Sequence, residues 1–365
     1  MENTILKRIS YKELNDDVPI PFDDSCHMIS DYLTPSVRKT LLANPNLSDY
    51  EDSVLNLVIL DGTIVGRNML MPTKIKAGEK YYKVQSGGSY EVSERFRGHG
   101  FGKMAFRDSI INSEYDVYIG QLYSTTAFSI VRNIGLIVFE IPSFYKLCRS
   151  RTILEAKGFR GYPLKICASV ADVVLKFLDI PNRCRLNKLR KKYTVKEASV
   201  IPEWVNEITL HDGHEYMEVH DAEWFQWNLD NRFTECLNDK QAFYVVYDKN
   251  EIPQGFFMTK VRFEEEQGKY KKITRGTIVE WESYNEQELS EVDLNLLGTY
   301  SFDSNVDNIT TVLSNASFEN RIRKLAYIRH GSYQLTVKPG PIKQESIYEQ
   351  SKWRIRYGGC NTIVF

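Results

Sequence analysis

Residues 95–112 read RFRGHGFGKMAFRDSIIN, with glycines at positions 98, 100 and 102. The second half of this stretch has the apolar spacing of an amphipathic helix, with Met104, Ile110 and Ile111 as candidate core residues. Glycines allow backbone N–H groups to approach an anion closely, and the N-terminus of a helix adds a partial positive charge. The stretch therefore predicts a glycine loop that enters a helix and holds a pyrophosphate group.

The sequence before the glycine loop predicts a hairpin and a third strand. Residues 54–60 form an apolar run, Asp61-Gly62 is a strong turn signal, and residues 64–71 supply the return strand. Residues 81–93 read as the third strand. The Gly87-Gly88 pair within it indicates a β-bulge or a close approach of another group to the backbone.

The second half of the chain repeats this order of elements. After the loop, strands are predicted at residues 115–122 and 136–141, with a helix between them that ends at Gly135. The strands of the second half are expected at residues 242–247, 254–261, 271–281, 309–313 and 332–337. This repeat predicts two similarly built domains, at residues 1–180 and 201–365.

Residues 181–200 are predicted to be a basic linker between the two domains. Six Lys or Arg residues lie within residues 183–192. The plain interpretation is a solvated linker or helix face. The alternative is an anion site for a cofactor phosphate or an acidic partner.

Composition and charge restrict the classes of partner. The chain has 365 residues, with 47 Lys and Arg against 48 Asp and Glu, so nucleic acid is not expected as a partner. The longest apolar-rich stretch, residues 168–180, contains Asp172 and Lys176 and is too short to span a bilayer. The N-terminus lacks the apolar segment of a signal peptide. These features predict a cytoplasmic protein without a membrane partner.

No metal site is expected from the sequence. The six cysteines form no C-x-x-C pair. His211, His214 and His220 occur together in HDGHEYMEVHD, but their spacing is not that of an H-E-x-x-H zinc site. A polar loop is the favoured interpretation.

Two common phosphate-binding patterns do not fit the glycine loop. A Walker loop requires G-x-x-x-x-G-K-S/T, but only three residues separate Gly98 from Gly102 and no Ser or Thr follows Lys103. A dinucleotide loop requires G-x-G-x-x-G, and Lys103 occupies the place of its last glycine. The pattern that fits is Q/R-x-x-G-x-G/A, with Arg97, Gly100 and Gly102 at its fixed positions.

This pattern, between the third strand of a hairpin-led sheet and a helix, resembles the GNAT superfamily of N-acetyltransferases. The resemblance covers residues 50–145 and, more weakly, residues 240–340. It implies an α/β (α+β) fold of two GNAT-like domains, each a mixed, mainly antiparallel sheet flanked by helices. It also implies acetyl-CoA as the acyl donor.

The resemblance further implies which residues contact acetyl-CoA. Loop amides would hold the pyrophosphate, and the backbone of a strand valine would pair with the pantetheine arm and the thioester. The implied positions are Val92, Arg97, Gly98, His99, Gly100, Phe101, Gly102 and Ser124. Ser124 replaces an asparagine of the family pattern, and Glu94 replaces a frequent proline.

The second domain departs further from the family pattern. One segment of the family pattern contains an asparagine, a tyrosine and a glycine. Asn320, Tyr327 and Gly331 match this segment better than the corresponding residues of the first half do. Residues 282–296, however, are acidic and contain no glycine, so a pyrophosphate would meet carboxylates there. We expect a degenerate GNAT-like domain that does not bind CoA in the manner of the family.

Acyl transfer to an amine requires a group that accepts the amine proton. A second group that donates a proton to the leaving thiolate assists the reaction. Glu91, beside Val92, is the candidate base. Val131 stands where the family has a tyrosine that donates this proton, so Tyr123 is the candidate acid instead. We expect Val131→Tyr to preserve or raise activity if the ring fits.

The predicted activity is therefore transfer of the acetyl group of acetyl-CoA to a primary amine by direct attack in a ternary complex. A small-molecule amine or amino sugar is the favoured acceptor, with amino acids, polyamines and protein lysines also open. The alternative is a non-catalytic acyl-CoA-binding, sensor or scaffold protein. The missing tyrosine supports the alternative, and the intact glycine loop supports the enzyme.

Overall fold

A computed structural model describes residues 3–16, 35–111, 115, 117–122, 130–131, 133–134, 136–231, 239–267, 270–302, 306–312 and 316–359. The strands of the first half are β1 (Thr4–Ser10), β2 (Ser53–Leu60), β3 (Thr63–Ala77), β4 (Lys80–Val92), β5 (Val117–Leu122) and β6 (Ile137–Leu147). Those of the second half are β7 (Thr194–Ala198), β8 (Tyr216–Glu218), β9 (Lys240–Tyr247), β10 (Pro253–Gln267), β11 (Tyr270–Ser283), β12 (Asn308–Val312), β13 (Ile328–Lys338) and β14 (Trp353–Arg354).

Helices flank these strands in both halves. The first half contributes α1 (Tyr11–Asn15), α2 (Pro35–Leu42), α3 (Phe101–Ile111), α4 (Arg151–Ala156) and α5 (Gly161–Leu178). The rest of the described chain contributes α6 (Ile180–Lys192), α7 (Val205–Thr209), α8 (Ala222–Asp230), α9 (Glu291–Thr299) and α10 (Ala316–Ile322). None of these helices is both long and apolar enough to cross a bilayer.

The strands join one sheet in the order β1-β2-β3-β4-β5-β13-β6-β12-β11-β10-β9-β7, and β8 pairs with β3 and β14. The β4–β5, β11–β12 and β8–β14 pairs are parallel, and the other recorded pairs are antiparallel. The predicted mixed, mainly antiparallel arrangement flanked by helices is confirmed, but the described strands form one continuous sheet where a separate sheet was expected in each half. The predicted pairing of residues 242–247 with 254–261 is also confirmed, because β9 and β10 are antiparallel neighbours.

The strand order is symmetric about its centre. Each half supplies five strands to its own side of the sheet, which are β1–β5 in the first half and β7 and β9–β12 in the second. β6 and β13 each lie on the side of the other half. β6 therefore pairs with β12 and β13, whereas β13 pairs with β5 and β6. The register shift between β3 and β4 has a counterpart between β10 and β11. The two halves of the sheet are thus built alike and exchange β6 and β13.

The segment predicted to be a linker is regular structure. Residues 181–200 form most of α6 and all of β7. Leu186 and Leu189 on α6 are buried in the core of the second half, and β7 pairs with β9. Because these leucines are buried, one face of the basic segment packs against the protein. The charge pattern of the segment did not predict this packing.

Two local predictions differ from the structure. Met104 and Ile111 are 39% and 49% exposed, because α3 presents Ala105, Phe106 and Ile110 to the sheet instead. The strand expected to end before Pro142 continues to Leu147. The register of β13 shifts opposite Pro142, which accommodates a residue without an N–H donor.

Candidate functional site

The glycine loop begins where β4 ends. Val92 closes the strand, a 3₁₀ turn covers Glu94–Phe96, and α3 begins at Phe101. Gly98 and Gly100 have φ angles of 88° and 85°. These angles lie in the left-handed region that favours glycine, so both residues are required by the shape of the loop.

The loop and the start of α3 direct backbone amides and cationic side chains toward one groove. The first amide recorded as donating back along the helix is that of Met104, to Gly100 O at 3.0 Å. The amides before it belong to the first turn of a helix, which has no intrahelical acceptors. A groove of 520 Å³ runs beside Gly100, with Lys103, Arg107 and Asp108 in its wall, and Asp108 pairs with Arg8 at 3.3 Å. Backbone dipoles and cationic side chains thus both favour a negatively charged ligand.

Gly102 has a second role in packing. A Cβ atom at this position would overlap the hydroxyl of Tyr90 and lie 3.1 Å from Val92 Cγ2. Burial raises the pKa of Tyr90 to about 12, and its ring packs edge-on against Phe106 with centroids 5.7 Å apart. The close contact of α3 with β4 therefore depends on glycine at position 102.

β4 and β5 separate beside the loop. Their parallel pairing runs from Val84 opposite Val117 to Gly87 opposite Gly120, although β4 continues to Val92. A Cβ at Gly87 would overlap the hydroxyl of Tyr118, which confirms a close approach to the backbone at this position.

A bulge lies just beyond the Gly87-Gly88 pair. Arg67 is opposite Glu91 and Met69 is opposite Gly88, so the single residue Asn68 faces the two residues 89–90. The sequence prediction of a bulge in this strand is confirmed. A bulge frees backbone groups of the strand where the two parallel strands diverge.

Glu91 and Val92 lie on opposite faces of the sheet. Val92 packs toward Gly102 of α3, whereas Glu91 pairs with Arg67 on the other face. Arg67 Nη2 lies 3.2 Å from Glu91 Oε2, and the arginine is only 1% exposed. The candidate base is therefore held by a buried cation, which the sequence did not reveal.

Arg97 and His99 are on the surface of the loop. Arg97 donates from Nε to Val92 O at 3.3 Å and approaches Glu94 at 3.7 Å. The His99 ring stacks on Phe101 with centroids 6.1 Å apart. Arg97 thus ties the loop to the end of β4.

Two predicted site residues, Tyr123 and Ser124, lie outside the described residues. Val131 is described and is completely buried, in a cluster that includes Phe106, Ile110 and Tyr118. The position that the sequence resemblance aligns with the family's tyrosine is therefore a packed apolar side chain.

The three histidines noted in the sequence have separate partners. His211 Nδ1 is 2.9 Å from Glu207 O, and His214 Nδ1 is 2.5 Å from Asp212 Oδ1. His220 Nδ1 is 2.8 Å from Glu280 Oε1. Within the described ranges, no group of three or more His, Cys, Asp or Glu side chains could hold a metal ion.

A buried group of ion pairs occupies the corresponding part of the second half. Arg354 and Arg356 lie 2.6 and 2.9 Å from Glu282 Oε1, and Arg356 lies 3.1 Å from Glu291 Oε1. Glu291 is the first residue of α9, and Ser290 caps this helix. The N-terminus of α9 is thus surrounded by side chains of its own chain. About 70 residues separate these partners, so local sequence patterns gave no signal for them.

Among the comparisons with known proteins, the comparison with solved structures is the one that supports the fold. No protein-family model matches the sequence, and no curated protein matches it. Saccharomyces cerevisiae N-myristoyltransferase with bound myristoyl-CoA and inhibitors has a TM-score of 0.59 at 10% identity, covering 97% of this chain and 87% of the yeast chain.

Two further solved structures are similar. A conserved Enterococcus faecalis protein described as a probable N-acyltransferase has a TM-score of 0.53 at 12% identity. A GCN5-related N-acetyltransferase from Anabaena variabilis has a TM-score of 0.52 at 9% identity. Each match covers 92% of this chain and 72% of the other chain. The chain has the GNAT-type acyltransferase fold.

Proposed function

We propose that this chain is a cytoplasmic N-acetyltransferase that transfers the acetyl group of acetyl-CoA to a primary amine. The observation that carries the proposal is the separation of β4 from β5 beyond Gly87 and Gly120, beside a loop with two left-handed glycines at the start of α3. This arrangement offers strand backbone to a pantetheine arm and loop amides to a pyrophosphate. The GNAT-type fold supports the same assignment.

The proposed binding site uses the loop and the end of β4. Amides of residues 98–102 would hold the pyrophosphate, and Val92 would contact the pantetheine arm. Arg97 would keep the loop against the strand through its bond to Val92 O. Ser124 would also contact acetyl-CoA, as the family resemblance implies. The second half would shape the acceptor cleft without binding CoA, since carboxylates occupy the start of α9.

The proposed reaction is a direct attack. The lone pair of the amine attacks the thioester carbonyl carbon, and the C–S bond then breaks. Glu91 takes the amine proton, and Tyr123 gives a proton to the CoA thiolate. A thiol has a pKa of about 8.5, so protonation of this leaving group is helpful without being obligatory near neutral pH.

The proposal is tested by release of free CoA thiol from acetyl-CoA with a panel of amino sugars, amino acids, polyamines and lysine peptides. We expect turnover with a small amine or amino sugar. Glu91→Gln should lower kcat by about a hundredfold or more, and Tyr123→Phe by at least about tenfold. Glu94→Gln is the matched control, because its carboxylate is 82% exposed and three residues away. Full activity in Glu91→Gln removes this residue from the mechanism.

One observation favours a second candidate function, an acyl-CoA-binding sensor or scaffold. Val131 is fully buried where the family has its proton donor. Calorimetry with acetyl-CoA and myristoyl-CoA, run beside the turnover assay, separates the two candidates. Tight binding without turnover of any amine would favour the sensor, and preference for the longer chain would replace acetyl with a fatty acyl group.

A further inference from the structure

Helix α5 exposes an apolar face. Six large side chains on it are between 47% and 75% exposed, namely Tyr162, Ile166, Val170, Val173, Val174 and Phe177. Their spacing of three and four residues places them on one side of the helix. Leu164 and Ala168 on the other side are buried against the protein. An apolar face of this extent is typical of a binding surface.

The charges around this face are basic. Residues 160–192 contain nine Lys and Arg residues and two aspartates, in a chain whose net charge is −1. Both aspartates are engaged with the protein, since Asp172 accepts a hydrogen bond from Ser150 N at 2.8 Å and Asp179 pairs with Lys146 at 2.6 Å. Arg183 and Arg185 pair with Asp179 and Asp293, and the other Lys and Arg residues leave the charge around α5 and α6 predominantly positive.

A cavity of 680 Å³ lies directly beside α5. Leu175 and Leu178 of the helix form part of its wall, and Arg149, Arg183 and Arg323 also line it. None of the six exposed side chains lines this cavity, so it lies away from the apolar face of α5, and Arg183 and Arg323 in its wall pair with Asp179 and Glu319.

We propose that α5 and the start of α6 dock the protein on an anionic lipid bilayer. The helix lies in the plane of the membrane, with Val170, Val174 and Phe177 at the boundary of head groups and acyl chains. Lys176 and Arg183 contact lipid phosphates, and Arg183 exchanges its ion pair with Asp179 for this contact. The helix has 18 residues and a length of about 27 Å, which is enough for contact along the surface.

Charge complementarity selects a membrane over a second copy of the chain. Two copies that met through α5 would bring their basic residues together, and the repulsion would oppose association. An anionic bilayer offers apolar area and opposite charge at once. This proposal revises the sequence expectation of no membrane partner and is independent of the proposed enzymatic activity.

Vesicle sedimentation tests the proposal. The full chain is mixed with phosphatidylcholine vesicles, with and without about one third phosphatidylglycerol, at low and high salt. We expect anionic lipid to raise the bound fraction at least about tenfold and high salt to reverse the gain. Val170→Glu with Phe177→Glu should abolish binding, and Lys176→Glu with Arg183→Glu should remove the preference for anionic vesicles.

Val200→Glu is the matched control, because Val200 is 75% exposed and lies outside α5 and α6. It should bind vesicles like the unmodified chain. This variant and the Val170/Phe177 variant should keep the melting temperature of the unmodified chain within about 2 °C because surface changes are small, whereas Arg183→Glu also removes an ion pair with Asp179. Undiminished binding by the Val170/Phe177 variant overturns the proposal. So does a dimer that becomes monomeric in this variant without any vesicle binding, since a second copy would then cover the face.

Discussion

Gly100 combines a left-handed backbone conformation with open space around its Cα, since no atom would meet a Cβ there within 4 Å. Gly100→Val therefore strains the loop and places a branched side chain where an anion would approach. We expect affinity for CoA to fall about ten- to a hundredfold, equivalent to one lost charge-assisted backbone bond. Isothermal calorimetry with CoA measures the change.

Gly78→Val is the matched control for backbone strain. Gly78 also has a positive φ and open surroundings, but it lies in the turn between β3 and β4, away from the glycine loop. Both variants should lose stability, whereas only Gly100→Val should lose affinity. Equal CoA affinity in the two folded variants would move the pyrophosphate site elsewhere.

His220 is a second residue with a measurable signature. It is fully buried, stacks on Trp224 with centroids 3.8 Å apart, and lies near Glu280 and Glu218. Burial alone would lower its pKa, but the two carboxylates outweigh burial and raise the pKa to about 9. The folded state thus binds this proton more tightly than the unfolded chain, whose histidine has a pKa of about 6.5.

The stability contributed by this proton is complete below about pH 6.5 and is lost as the pH rises through about 9. The free energy of unfolding, measured with denaturant, should be up to about 3 kcal/mol lower at pH 9 than at pH 6. The His220→Gln variant should not show this decrease. The comparison of the two proteins cancels other titrating groups, including Lys260, whose pKa burial lowers to about 7. An identical pH dependence in both proteins would show that His220 is neutral when folded.

At the scale of elements, the contact of α3 with the sheet decides whether position 131 accepts a larger ring. Val131 is 0% exposed and packs with Leu70, Phe106 and Tyr118. Val131→Tyr overpacks this cluster, at a cost of about 1–3 kcal/mol. We now expect a lower melting temperature and no gain in turnover, in contrast to the outcome that the sequence allowed.

Differential scanning fluorimetry and the thiol assay check this expectation. Val131→Ile is the control, since it adds one methylene and should cost less. An unchanged melting temperature together with faster turnover in Val131→Tyr would mean that the ring fits and donates a proton, as in the family pattern.

At the scale of the whole molecule, the exchange of β6 and β13 makes each half depend on the other. The 1–180 fragment would lack both sheet neighbours of β6 and the β13 neighbour of β5. We expect this fragment alone to be insoluble or unfolded, because unpaired strand edges and exposed apolar faces promote aggregation.

Co-expression of residues 1–180 with residues 181–365 should restore a soluble complex that is purified through a tag on one fragment. The complex should melt in one cooperative transition like the intact chain. A soluble 1–180 fragment with its own cooperative transition would show instead that the proposed division at residues 181–200 separates independent domains.

The sequence by itself determined the local elements. The turn at Asp61-Gly62, the bulged third strand and the glycine loop before α3 all depend on residues near one another in the chain. Side-chain period and turn chemistry act over such distances, so they can be recognised without a structure. The same local logic predicted the repeated element order and, through the loop pattern, the GNAT-type fold.

Only the tertiary structure decided which distant residues meet. The pairing of β13 with β5 joins positions more than 200 residues apart, and no local pattern specifies such a partner. The ion pair of Glu91 with Arg67 and the burial of Val131 likewise depend on how strands and helices pack. The exposure of the apolar face of α5 also depends on packing. The helical period of the sequence shows that an apolar face exists, but packing decides whether the rest of the protein covers it.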